Sequence, residues 1–295
     1  LPFMCFVYVW WLWIGLFCTR MELLSLMLPY VSIFNIEVPT YGLMAGVGIF
    51  FCFLFMFLIT RIRKDIRLDD VAYVFVFAMA GLLVGAKIMG YLVELPNFVS
   101  ASIEGGFKLH NVIVFFSTGT FVFYGGLLGS IAGCACGCKF FELDIGKHMN
   151  VCTPLIPLFH MFGRIGCFLT GCCYGIESQR FGIDYDNAVG GAPNGVPLLP
   201  VQLYEAGFEL LLFVLTLILV ISKKTNNSLL VYLLCYAPFR FTIEFLRGDE
   251  IRGRFLNLST AQWVSIGIVV VCVTVLLRKK YIGDVSHQKQ QKAVE

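Results

Sequence analysis

Blocks of about 20 apolar residues, almost free of charge, recur along this chain, and such blocks have the length of membrane-spanning helices. A backbone in hydrocarbon must satisfy its own N–H and C=O groups, which restricts spanning segments to helices or closed barrels. Runs of this length select helices. Seven fall at about 41–60, 71–93, 112–138, 150–170, 202–221, 229–246 and 260–277. The charged share of 14% lies far under the ~25% of soluble domains, so the excess apolar content belongs to spans and not to an enlarged core. The expected fold is an all-α membrane bundle of seven transmembrane helices, with a small extracytoplasmic head at about 171–200. The membrane domain is set at 27–283 and a polar cytoplasmic tail, expected to be disordered, at 284–295.

Residues 1–20 (LPFMCFVYVWWLWIGLFCTR) admit three readings: an extra N-terminal hydrophobic helix, a signal-like segment, or translated sequence upstream of a start at Met21 or Met27. The apolar run is long and no basic segment precedes it, which argues against a cleaved signal. The upstream-start reading is preferred, and residues 1–26 are set apart as a hydrophobic extension.

Charge between the spans orients the bundle. Four Lys/Arg lie in RIRKDIR (61–67), and Lys139, Lys147, Lys223, Lys224, Arg278, Lys279 and Lys280 fall in segments that alternate with the rest. Those segments hold eleven basic residues; the intervening loops hold five, Lys108, Arg180, Arg247, Arg252 and Arg254. The positive-inside rule then places 61–67 and the C-terminus in the cytoplasm. The net charge of +3 and the lack of a basic groove with interleaved aromatics leave no expectation of nucleic acid.

Ionisable residues inside apolar spans are costly and mark functional sites by default. They are Lys87, Arg164, Glu205, Glu209, Arg240 and Glu244. Lys87 lies near a span end and can snorkel. Glu205 and Glu209 open the fifth span and read as residues flanking the interface. Arg240, Glu244 and Arg247 are spaced to share one helical face; a pair locking two helices is the plainer reading of Arg240 and Glu244. Two guanidinium groups with one carboxylate leave net positive charge, suited to bidentate phosphate binding. Arg164 lies in GRIGCFLTGCCYG (163–175), whose four glycines in 13 residues permit a helix break or close helix packing.

The twelve cysteines mostly occupy apolar runs and read as small apolar side chains. Cys167, Cys172 and Cys173 read chiefly as packing residues, with direct thiol participation the main alternative and metal or redox use, with CACGC, the least favoured. CACGC (134–138) spreads its thiols around a helix, and no His-rich partner accompanies it, so no metal and no cofactor are expected.

Five segments carry a resemblance to the prolipoprotein diacylglyceryl transferase family. GRIGCFLTGCCYG resembles its signature, G-R-I-G-N-F-x-x-G-E-x-x-G. PTYGLMAG (39–46), FYGGLLG (123–129), LPVQLYEA (199–206) and RFTIEFLRGD (240–249) are similar to other family stretches in the same order, and LSTAQW (258–263) fits the last span. The resemblance covers about residues 27–280. It implies a multi-pass protein of the bacterial cell membrane, its N-terminus outside and its site near the outer leaflet. The implied reaction moves diacylglycerol from phosphatidylglycerol to the lipobox cysteine of prolipoprotein signal peptides, releasing glycerol phosphate. It implies catalytic roles for Tyr124, Arg164, Arg240 and Glu244. Substrate contacts would come from Arg164, Arg240, Arg247, Tyr41, Gln202, Tyr204, Cys167 and Cys172. Three positions depart from the family pattern: Tyr124 replaces a histidine, Cys167 an asparagine and Cys172 a glutamate. The rival readings are a related lipid-modifying transferase with another acceptor, and an anion or lipid transporter. No inverted repeat supports transport, and the intramembrane charges gather at one face.

Overall fold

The structure is a computed structural model that describes residues 28–33, 36–105, 122–249 and 254–292. The hydrophobic extension, and the first part of the expected third span, lie outside the described residues.

Helices dominate. A short hairpin, β1 (Tyr30–Ile33) and β2 (Ile36–Pro39), pairs antiparallel with Tyr30 opposite Pro39. It leads into α1 (Thr40–Ile62), followed by α2 (Leu68–Gly105), α3 (Phe123–Phe140), α4 (Ile145–Cys152) and α5 (Leu155–Thr170). A two-stranded pair, β3 (Ile183–Asp184) with β4 (Pro197–Leu198), precedes α6 (Val201–Ile221) and α7 (Ser228–Ile243). A 3-10 turn at Glu244–Leu246 ends α7, and the short strands β5 (Arg254–Phe255) and β6 (Leu258–Ser259) come before α8 (Thr260–Lys292). Among the described residues six helical segments are long and apolar enough to cross a membrane. They match the first, second, fourth, fifth, sixth and seventh expected blocks.

Two expectations are corrected. Residues 284–292 continue α8 instead of forming a disordered tail; the segment is rich in Lys and Gln, both good helix formers, and has no Pro to stop it. The single helical face expected for Arg240, Glu244 and Arg247 does not extend to Arg247. The α-helix ends at Ile243, Glu244 opens the 3-10 turn, and Arg247 is extended with φ −81° and ψ 138°. Three or four residues on a 3-10 turn do not continue the α-helical stripe.

The chain forms two compact units. The first comprises the described residues up to Phe50 and within Leu158–Leu210 and Thr242–Arg254. Its 171–200 segment is packed, not loose: Phe168, Tyr185, Ala192 and Leu198 form a buried cluster, flanked by Tyr174, Ile183 and Val196. Residues 174–178 lie between two extended neighbours. Ile176 N–H donates to the Leu246 carbonyl (2.9 Å) and Gly248 N–H to that of Tyr174 (3.1 Å); on the other side Leu199 N–H donates to Ile176 (3.0 Å). Gly248 is needed there, because a Cβ would stand 2.4 Å from the Gly175 oxygen.

The second unit comprises Phe51–Pro157, Leu211–Phe241 and the chain from Phe255 onward. Within it α2 and α3 touch backbone to backbone. A Cβ on Gly81 would come 2.1 Å from the Gly129 oxygen, and one on Gly85 2.3 Å from that of Gly125. Such small-residue seams replace the hydrophobic drive that lipid removes. The basic segments expected on one side meet here. Asp65 receives Arg63 (3.0 Å), Lys223 (3.1 Å) and Lys147 (3.4 Å), Arg63 Nη1 donates to the Val220 carbonyl (2.7 Å), and Lys279 bonds Asn227 (2.5 Å).

Candidate functional site

The first unit holds four ionisable side chains in a row. On α5, His160 and Arg164 are one turn apart; on α6, Glu205 and Glu209 are one turn apart. The two pairs face each other. Arg164 forms an ion pair with Glu205, and its Nε donates to His160 Nε2 at 3.1 Å. That donation leaves the His160 proton on Nδ1, which donates to Glu209 Oε1 at 2.6 Å. Glu205 and Glu209 are 1% and 0% exposed. They are therefore buried members of a charge network, and the expectation that they only flank the interface is wrong. The apolar runs around them gave that impression, because the partners lie some 45 residues earlier on another helix. His160 carries no signal of its own in the sequence. The matched one-turn spacings, His160/Arg164 and Glu205/Glu209, were the signal available.

Beyond Arg164 the helix ends and the thiols converge. Gly171 (φ 73°) and Cys173 (φ 61°) both adopt the left-handed conformation; Gly does so freely, whereas Cys does so at a cost. This turn folds the chain back so that the sulfurs of Cys167, Cys172 and Cys173 all lie within 4.8 Å of one another. Linear spacing did not show this convergence. The buried Gln202 donates from Nε2 to the Cys172 carbonyl at 2.7 Å and accepts at Oε1 from Tyr185 (3.2 Å). Gly190 closes on the other side, where a Cβ would stand 2.6 Å from Cys172 Cβ. The Cys173 thiol is held below its ordinary pKa. Hydrogen bonds from Cys167 and then Cys172 favour its thiolate; burial opposes, and Arg247 and Arg164 add positive potential.

Arg247 is 3% exposed at its side chain and pairs with Asp249 through Nε (2.8 Å) and Nη2 (2.7 Å). Its Nη1 is buried and has no hydrogen-bond partner among the described residues. The backbone bridge between Gly175 and Arg247 fixes this arginine beside the 174–178 segment. The Tyr41 ring lies over Gly166, where a Cβ would come within 3.2 Å of Cδ2. Tyr204 lies half-buried on the first turn of α6, and Glu244 is half-buried in the 3-10 turn.

Tyr124 and Arg240 belong to the second unit. Both are buried. Ser265 Oγ donates to the Ala261 carbonyl (2.8 Å), so the Tyr124 hydroxyl donates to Ser265 at 2.6 Å. The Tyr124 ring is flanked by Phe123 and Tyr236. The first unit thus brings together Arg164, Arg247, Tyr41, Gln202, Cys167 and Cys172 from the expected set and adds His160, Glu205, Glu209 and Cys173. Of the CACGC thiols, Cys134 contacts Cys138 and Cys152, while Cys136 is exposed.

The family described as prolipoprotein diacylglyceryl transferase matches residues 29–278. The chain belongs to that family. It is 32% identical over 269 residues to phosphatidylglycerol–prolipoprotein diacylglyceryl transferase 2 of Clostridium perfringens (strain 13 / Type A), covering 86% of this chain and 97% of the relative. A relative of the same activity name from Clostridium tetani (strain Massachusetts / E88) is 28% identical over 83% of this chain and 94% of its own. One from Dehalococcoides mccartyi (strain CBDB1) is 30% identical over 88% and 94%. The family's signature segment here carries Arg164 and the three clustered cysteines.

Proposed function

We propose that this chain transfers a diacylglyceryl group from phosphatidylglycerol to the lipobox cysteine of prolipoproteins, with glycerol phosphate as leaving group. The observation that carries the reading is the buried Arg164, held by Glu205 and His160 within the signature segment of the family. A fixed guanidinium is suited to a phosphate whose charge grows as its ester bond breaks, since preorganised donors need no rearrangement during reaction. Arg247 supports the same role. Asp249 occupies two of its nitrogens, and Nη1, without a partner among the described residues, is placed to meet an anionic oxygen. Arg240 is the second family arginine proposed for the phosphate and Glu244 its carboxylate, both on the strength of their motif position. A phenol is a poor general base, so Tyr124 is assigned by its motif position as a hydrogen-bonding group and not as the base. Tyr41, Tyr204, Gln202, Cys167 and Cys172 line or support the substrate site, Gln202 by holding the Cys172 turn.

The placement belongs to the same proposal. Seven spans cross the bacterial cell membrane, residues 171–200 form an extracytoplasmic head, the basic segments around Asp65 and the C-terminus face the cytoplasm, and the site works near the outer leaflet. The charge asymmetry of the loops supports it. The test is lipidation of a lipobox peptide in phosphatidylglycerol vesicles by the wild type, Arg164→Ala and Arg240→Ala. The wild type is expected to modify the peptide and both variants to lose the reaction. Wild-type rates in the variants would remove these roles, and modification of some other acceptor would redirect the reading to a related transferase.

A further inference from the structure

We infer that Cys167, Cys172 and Cys173 form a zinc site whose open fourth position takes the thiol of the acceptor peptide and delivers it as a thiolate. The inference rests on the transferase reading and supplies the step that reading leaves without a base. Catalytic zinc keeps three protein ligands and one exchangeable position. The three sulfurs lie within 4.8 Å of one another. Zn–S bonds of about 2.3 Å in a tetrahedral site put sulfurs about 3.8 Å apart, so closure by an ångström or less suffices.

The site is built by the backbone around it. Cys167 sits in the last turn of α5; Cys172 and Cys173 follow a left-handed Gly171, and Cys173 itself holds φ 61°. Gln202 fixes the Cys172 carbonyl, and Gly190 packs on the Cys172 Cβ. A packing role for three small thiols requires neither a left-handed cysteine nor a buried glutamine holding the turn. Charge also fits. Three thiolates and Zn²⁺ leave one net negative charge, and Arg164 and Arg247 both act on Cys173. Zinc suits the site better than copper(I), which softer trigonal coordination by three thiolates would saturate, leaving no position for the acceptor.

The step balances. The acceptor thiol binds zinc and loses its proton to solvent. The zinc-bound sulfur attacks the glyceryl carbon of the lipid, a C–S bond forms, and the C–O bond to phosphate breaks. The electron pair leaves on glycerol phosphate, and zinc returns to its open state without redox change. A thiol coordinated to zinc is deprotonated outright. This relieves the need for the histidine that the chain replaces with Tyr124, and it gives a purpose to cysteines at two further positions where the family pattern has asparagine and glutamate.

The experiment uses the full chain, purified in detergent under reducing conditions, exposed to Zn²⁺ and freed of loose metal. About one zinc per chain is expected by elemental mass spectrometry. Cys172→Ser and Cys173→Ser are expected to retain less than about a tenth of that. Cys136→Ser, an exposed thiol outside the cluster, is expected to retain it. If the serine variants fail to fold, Cys172→Asp keeps an anionic ligand and is expected to bind zinc at least about tenfold more weakly. With Co²⁺ as reporter, a lipobox peptide is expected to intensify the thiolate-to-cobalt absorption, and the same peptide with its cysteine replaced by alanine to leave it unchanged. Zinc retained equally by Cys172→Ser and Cys173→Ser would overturn the inference. So would full lipidation by metal-free protein, which would leave the transferase reading standing. Metal binding and peptide coordination without any lipidation would uphold the zinc site and sink the transferase reading instead.

Discussion

Arg164 Nε reaches both His160 and Glu205, so one guanidinium nitrogen ties the turn before it on α5 to the neighbouring helix α6. Removing one member of a buried pair strands the other, at a cost of about 3–5 kcal/mol. Arg164→Leu and Glu205→Leu are each expected to lower the unfolding temperature of the detergent-purified protein, and the double variant to recover much of the loss. Lipidation is expected to vanish in all three. Recovery of lipidation in the double variant would show that Arg164 only locks helices.

His160 must donate to one neighbour and accept from another. Glutamine offers both functions on one side chain, an amide N–H and a carbonyl. His160→Gln is therefore expected to fold at a temperature near the wild type, while His160→Ala leaves Glu209 without its bond at 2.6 Å and unfolds earlier, by an amount on the order of 1–3 kcal/mol. Thermal unfolding of the two variants side by side decides it. Equal losses would mean that the imidazole acts by shape alone.

These two cases show what was legible beforehand. Six of the seven expected spans were, because apolar runs of this length have one physical outcome; the basic segments grouped by the charge count also meet, around Asp65. The motif arginines stood out for the same reason, charge in an apolar setting. What could not be read was pairing across distance. Glu205 and Glu209 take their roles from His160 and Arg164, and their matched one-turn spacings alone do not say that α6 faces α5. Nor could a change of helix type be read: the stripe through Arg240, Glu244 and Arg247 assumes α geometry that ends at Ile243. The thiol convergence depends on two left-handed residues, Gly171 and Cys173, of which only the glycine advertises itself.

The α2–α3 seam makes a prediction with an internal control. Gly129→Ala would set a Cβ 2.1 Å from the Gly81 oxygen, whereas Gly126→Ala meets Ala86 Cβ only at 3.4 Å. Backbone cannot step aside as a side chain can, and overpacking costs about 1–3 kcal/mol. Gly129→Ala is expected to lower the unfolding temperature and Gly126→Ala to leave it nearly unchanged. Loss of equal size in both would mean that glycine is kept here for some reason other than close approach.

Asp65 gives a pH test. Its carboxyl is held well below the ordinary carboxylate range, first by the Arg63 hydrogen bond and further by Lys223. A depressed folded-state pKa contributes stability that is complete above the unfolded value, about 3.9, and is lost only as pH falls through the folded value. The junction of basic loops should therefore be unchanged between about pH 8 and pH 5. The group is partly open to solvent, so the contribution is modest. Asp65→Asn removes it at every pH, leaving Arg63, Lys147 and Lys223 close together without the anion. The gap in unfolding temperature between wild type and Asp65→Asn is accordingly expected to stay flat across that range and to narrow only in stronger acid. A gap that closed near neutral pH would show that another titrating group, and not Asp65, governs the junction.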